Sequence, residues 1–249
     1  MRALLLRHGC LNHENKNKRK KSKLNKEILE GLKALDTPTV CNALEVVDPN
    51  RRTRGFNVRP FVCAHPELPS VVGYARTARI RATHEPEKPM DVEGYYTYIA
   101  ENGPLPSVAV IQDLDEIPGY GSFWGEVNTN VHYGLGCLGV ITNGCIRDIP
   151  DSQQNFQMLA GMINPSHAWV HVVDWGTPVT IHGMDVEDGN LIHADMHGAV
   201  VIPSKSAKAV IEEAKKIAAK ESILIQASQK PGFNMDRLRE ALKGMAEIH

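Results

Sequence analysis

The sequence predicts a single α/β domain, with parallel strands at its centre and helices at both ends. Three observations carry that prediction. Ser107–Gln112 and Leu138–Thr142 are short, continuously apolar runs, the pattern of strands buried on both faces. Between them lies a helical stretch, Gly125–Tyr133, so strand, helix and strand follow within about 35 residues as a βαβ unit with a parallel pair. The third observation is the change of texture after residue 165, where short β-rich stretches are broken by Gly, Pro and Asp.

Taken in order, residues 1–23 predict a solvated, disordered basic arm, because Lys16–Lys23 would repel itself if packed. A nuclear-localisation or polyanion-binding role is the alternative left open for it. Leu24, Ile28, Leu29, Leu32 and Leu35 recur at helical spacing. Thr37-Pro38 then predicts a helix start with Thr37 as N-cap, running over Thr39–Val47. Residues 70–82 alternate as a strand, and Asp91–Glu101 fits a short helix. In the last third, strands are expected over 168–174, 178–181, 191–194 and 199–202, forming an antiparallel or barrel-like layer. Ser204 is expected to cap a helix to about Gln226, and Asn234 to start another. The domain proper is expected to span 24–249.

Composition narrows the function. Apolar residues make up 42% of the 249 and charged residues 23%, the balance of an ordinary globular chain, and no apolar run approaches a membrane span. The formal charge is −1, but residues 16–26 hold seven Lys/Arg and no acid. The rest stands at 21 basic against 29 acidic, so the main body is not a nucleic-acid binder by charge. Five scattered cysteines without a CxxC pair, and no signal-peptide core, predict reduced thiols and a cytoplasmic location.

The chemistry is concentrated in Gly119–Asp151. Ser122-Phe123-Trp124-Gly125-Glu126 opens the βαβ helix, where free amides make an anion site and Gly125 permits close approach. Asn143-Gly144-Cys145-Ile146-Arg147-Asp148 follows a buried parallel strand, the place where open α/β sheets bind ligands. Arg147 can hold a carboxylate and polarise a carbonyl; Asp148 is a hard oxygen ligand for Mg²⁺ or Mn²⁺. Together they fit a 2-oxo acid bound with a divalent ion; a surface Arg–Asp pair in a Gly-rich turn is the alternative. His193, Asp195 and His197 alternate and could face one way, but Gly198 favours a turn and a structural role. His167 and His171 sit on strand-like sequence that breaks helical zinc spacing. Ser122 lacks the nucleophile-elbow spacing, Cys137 and Cys145 are expected to be core thiols, and the glycines at 134, 136 and 139 precede a strand, against a dinucleotide site.

NGCIRD, with Trp124-Gly125-Glu126 before it and DGNLIHADMHGAVVIP (188–203) after it, resembles the RraA-like family from about Asp36 to Pro203. That family includes class II 4-hydroxy-4-methyl-2-oxoglutarate aldolases, which also decarboxylate oxaloacetate. The resemblance implies a β/β/α swivelling-type domain, assembled as homotrimers or homohexamers with active sites at subunit interfaces. It implies a lyase whose substrate is a small 2-oxo acid, with pyruvate as product and Mg²⁺ or Mn²⁺ as cofactor. Asp148 would be the direct metal ligand, with Arg147 on the substrate carbonyl and carboxylate. Glu126 would act through a metal-bound water, and the amides of Val127 and Asn128 beside Gly125 would take the carboxylate. Glu221 from a neighbouring subunit would be a further acid. Some members instead bind and inhibit an RNA-degrading enzyme, the rival expectation. Two departures stand out: residues 85–102 have no place in the family pattern, and Asn42 stands where the family usually has an aspartate.

Overall fold

The computed structural model describes residues 24–246. The arm anticipated over 1–23 lies outside the described residues. Two helices come first, α1 (Lys26–Lys33) and α2 (Thr37–Val47), followed by β1 (Val62–Cys63), β2 (Val71–Arg81) and α3 (Val92–Glu101). The βαβ unit is β3 (Ser107–Asp113), α4 (Glu126–Gly134) and β4 (Cys137–Thr142). Short strands succeed it: β5 (Cys145–Ile146), β6 (Gln157–Ala160), β7 (Met162–Ile163) and β8 (His171–Trp175). The chain closes with β9 (Val179–Ile181), β10 (Met184–Val186), β11 (Leu191–Asp195), β12 (Gly198–Ile202), α5 (Ala207–Ser228) and α6 (Met235–Ala246).

One mixed sheet organises these elements, in the order β1-β6-β4-β3-β2-β11-β12. β2 pairs in parallel with β3, β3 with β4, and β4 with β6, so the predicted βαβ unit is the sheet's centre. The antiparallel strands of the last third do not all form a separate layer. β11 and β12 extend the same sheet, and β8 pairs with the far half of β2 across a register shift at Arg79/Ile80. Only β9 and β10 stand apart as a hairpin, beside the small parallel pair β5–β7.

The alternation in β3 explains why its sequence is apolar throughout. Val108 and Val110 face a core with Ile141, Val179, Ile181 and Met184, whereas Ala109 and Ile111 face another with Tyr95, Trp124 and Phe156. A third core joins α1, α2 and α5 to β11 and β12. Helix starts follow local chemistry. Asn25 caps α1, Asp91 caps α3, and Asn234 Oδ1 accepts from the amides of Asp236 and Arg237 at the start of α6. Two expectations are corrected. Asp36, not Thr37, caps α2, its carboxylate accepting from Thr39 N–H at 2.7 Å, because Pro38 tolerates the second helical position as well as the first. Ser204 begins a short 3₁₀ turn, and α5 starts after it without a side-chain cap.

Candidate functional site

The loop between β3 and α4 and the segment after β4 meet at one end of the parallel strands. Trp124 and Ile146 form an isolated parallel bridge, and Arg147 N–H donates to Trp124 O at 3.0 Å. That register brings Arg147 and Asp148 over the start of α4. A Cβ placed on Gly125 would lie 2.5 Å from Asp148 Oδ2 and 3.3 Å from Arg147 Cγ, so only glycine leaves the carboxylate room. Asp148 has φ +50°, the left-handed region a non-glycine residue rarely occupies. Its side chain is 40% exposed, and Arg147 Nε lies 3.6 Å from Oδ2 with 34% exposure. The sequence-predicted pair is therefore juxtaposed, half-open to solvent, on a strained turn.

The helix mouth is open. Gly125 offers no side-chain cap to α4, and the first intrahelical amide is Thr129 N–H, bonded to Gly125 O at 3.1 Å. The amides of Glu126, Val127 and Asn128 thus point out of the helix start, the arrangement that receives an anion. Glu126 and Val127 are exposed there. Thr129 Oγ1 also accepts from Gln153 N–H at 3.0 Å, which ties the turn after Asp148 to α4.

Other candidates resolve into structure. Ser122 Oγ hydrogen-bonds Trp124 O and Cys145 O (2.7 and 3.1 Å), which pins the loop and leaves no nucleophile. Cys137 and Cys145 are buried, and burial raises both thiols above their ordinary value. His193 and Asp195 lie on β11 and His197 in the turn before β12. Asp195 accepts from Thr37 N–H (2.8 Å) and His197 N–H (2.8 Å), and His193 bonds Thr37 Oγ1 (3.1 Å). The block therefore docks α2 onto the sheet. Glu221 is exposed on α5, which packs with α1, α2 and α6 beside the far strands of the sheet, so one chain does not bring it to Asp148. Among the described residues, no group of three or more His, Cys, Asp and Glu gathers to hold a metal, and no helix is long and apolar enough to cross a membrane. Cavities of about 880 and 490 Å³ are lined by other residues, the first by Arg51, Gln112 and Lys205 and the second by Arg59, Asn143 and His182.

Sequence reasoning missed the residues behind the helix mouth. Tyr95 and Tyr96 of α3, within the stretch that had no place in the family pattern, reach His132 and Asn128 of α4. The spacing of Asn128 and His132, four apart, was the one available signal.

The structure is thus a mixed α/β fold with a βαβ core, in which an Arg–Asp turn seated on glycine meets an open helix mouth at one end of the parallel strands. The chain belongs to the RraA-like family, whose family model, described as Aldolase/RraA, matches residues 37–201. It is 31% identical over 112 residues to the uncharacterized protein MJ0644 of Methanocaldococcus jannaschii, covering 43% of this chain. The match takes in 54% of that relative, so the chain spans about half the length of the curated protein it resembles. Among solved structures, an uncharacterized protein from Pseudomonas syringae superposes with a TM-score of 0.67 at 22% identity, over 90% of this chain and 96% of that one. RraAS2 of Streptomyces coelicolor, described as an unusual member of the RNase ES inhibitor RraA protein family, gives 0.63 at 19% identity, over 81% and 96%. At these identities the likeness is one of fold.

Proposed function

We infer that this protein is a divalent-metal-dependent lyase that cleaves a 4-hydroxy-2-oxo acid, of the 4-hydroxy-4-methyl-2-oxoglutarate kind, to pyruvate. Decarboxylation of oxaloacetate would pass through the same enolate. The observation that carries the reading is Asp148 Oδ2 held against Gly125 at the mouth of α4, with Arg147 beside it.

The donor set fits a hard dication. A single half-exposed carboxylate, leaving most coordination positions to water and substrate oxygens, suits Mg²⁺ or Mn²⁺ and not the closed nitrogen–sulfur sites of zinc. Asp148 would hold it directly and Glu126 through water, with Glu221 of a second chain as a further acid. Bound there, the ion would supply Lewis-acid withdrawal of charge from the substrate carbonyl. The chain's own groups do the rest. The Val127 and Asn128 amides receive the substrate carboxylate at the positive end of α4. Arg147 donates to the carboxylate and the 2-oxo oxygen, where negative charge develops as the carbon–carbon bond breaks. Stabilising that charge is what retro-aldol cleavage and β-decarboxylation have in common.

The second reading is a non-catalytic protein that binds and inhibits a ribonuclease, supported by the fold shared with RraAS2. Pyruvate release from oxaloacetate and from 4-hydroxy-4-methyl-2-oxoglutarate separates the two, measured with Mg²⁺, with EDTA and in Asp148→Asn. Asparagine suits that variant because it tolerates the left-handed backbone at 148 better than alanine does. Release that requires both metal and Asp148 is the expected result. No release from either compound overturns the lyase and leaves the ribonuclease binder, whereas undiminished turnover in the variant overturns the assignment of the chemistry to Asp148.

A further inference from the structure

Behind the helix mouth, α3 and α4 share a polar relay, buried at Tyr95 and His132 and half-buried at Tyr96 and Asn128. His132 is fully buried among rings, its centroid 4.6 Å from Trp124, 5.5 Å from Tyr96 and 5.7 Å from Tyr95. Its Nδ1 lies 2.7 Å from Asn128 O, and a carbonyl only accepts, so Nδ1 carries the proton. Nε2 then accepts from the Tyr95 hydroxyl at 3.0 Å. The Asn128 side chain is held at both ends: Tyr96 O–H donates to Oδ1 at 2.6 Å, and Nδ2 donates to Phe123 O at 2.5 Å. The carbonyl and both side-chain amide atoms of Asn128 are therefore turned inward, and its backbone N–H is left at the helix mouth. The next residue along the loop, Trp124, accepts the Arg147 amide, so the anchored loop also sets Arg147.

Apolar contacts alone would join the two helices without desolvating the Tyr95 phenol and the His132 imidazole and partly desolvating Tyr96 and Asn128. What the polar contacts add is direction. They fix the rotation of α4 about its axis and the angle between the 123–125 loop and the first turn, which interchangeable apolar contacts leave loosely set.

Building on the lyase reading, we propose that the Tyr95–His132–Asn128–Tyr96 relay is a positioning device that aims the Val127 and Asn128 amides at the substrate carboxylate and so sets affinity for the 2-oxo acid. The four side chains touch no reacting atom; they act through the helix.

The test uses Tyr96→Phe and Tyr95→Phe, each the loss of one oxygen. Two readouts apply: calorimetric titration with oxalate, a planar dianion shaped like the pyruvate enolate, in the presence of Mg²⁺, and steady-state pyruvate release. The carboxylate contact is the same in ground and transition states, so Tyr96→Phe should raise the oxalate Kd and the KM by about 10-fold while kcat stays within about 2-fold. Tyr95→Phe, one link further back, should move both in the same direction by about 3-fold. Circular dichroism at the titration temperature confirms that each variant is folded; if one is not, the other decides. Unchanged Kd and KM in the folded variants, or a loss confined to kcat, overturns the relay, and the lyase reading still stands if pyruvate release requires both Mg²⁺ and Asp148. Wild-type protein that neither binds oxalate nor releases pyruvate overturns both.

Discussion

Protonating His132 should destabilise the fold by an amount that can be worked out. Burial drives its imidazole down from 6.5 to about 4, against the opposing effect of the Asn128 carbonyl. Between those values the unfolded chain binds the proton and the folded chain does not, so stability rises with pH across the window. The contribution is fully present above about pH 6.5 and is lost as pH falls toward 4. The whole gap corresponds to about 3 kcal/mol, of which about 2 kcal/mol is lost between pH 7.5 and pH 5. The assay is urea unfolding of wild type and His132→Gln at both pH values, at one protein concentration. Glutamine does not titrate, so the variant, though less stable at pH 7.5, should lose about 2 kcal/mol less on acidification than wild type. His182 and His193 are also lowered by burial but remain in both proteins, and the double difference cancels them. Equal losses in the two proteins would refute the neutral, buried imidazole and the proton placement that follows from it.

Two further outcomes follow from the geometry. Gly125→Ala places a methyl within 2.5 Å of Asp148 Oδ2 and should cut pyruvate release at least about 10-fold, while the exposed carboxylate swings aside at a stability cost under about 1 kcal/mol; full activity would remove Asp148 from the chemistry. Asp195→Ala orphans the buried Thr37 amide together with the His197 amide and should cost about 2 kcal/mol or more in urea unfolding at pH 7. Burial alone would raise the Asp195 carboxyl, but the amides of Thr37 and His197 outweigh it and hold it below its ordinary value. Its contribution is therefore present above about pH 4 and is lost as pH falls through the lowered value, so wild type and variant should converge in stability toward acid.

The central βαβ unit, the long strand β2, the helices at both ends and the helix starts near Asp91 and Asn234 were legible along the chain. Each rests on interactions within a few residues: a period of 2 or 3.6, a side chain folding back on its own amides, a proline at a helix start. The Arg147-Asp148 pair and Gly125 were legible for the same reason, as residue types in a short motif beside a recognisable strand. What the sequence could not decide was everything that depends on a distant partner. β1, β5 and β7 have two residues each, too few to show a period, and exist only because β6 and each other complete their hydrogen bonds. Whether β11 and β12 form a layer of their own or extend the sheet turns on the pairing of β11 with the first half of β2, which local pattern does not encode. The left-handed turn at Asp148, the contact of its carboxylate with Gly125 and the grip of Tyr95 and Tyr96 on α4 likewise arise between elements 20 to 40 residues apart. Local chemistry chose the residues of this site; long-range strand pairing and the burial of an aromatic core decided how they face one another.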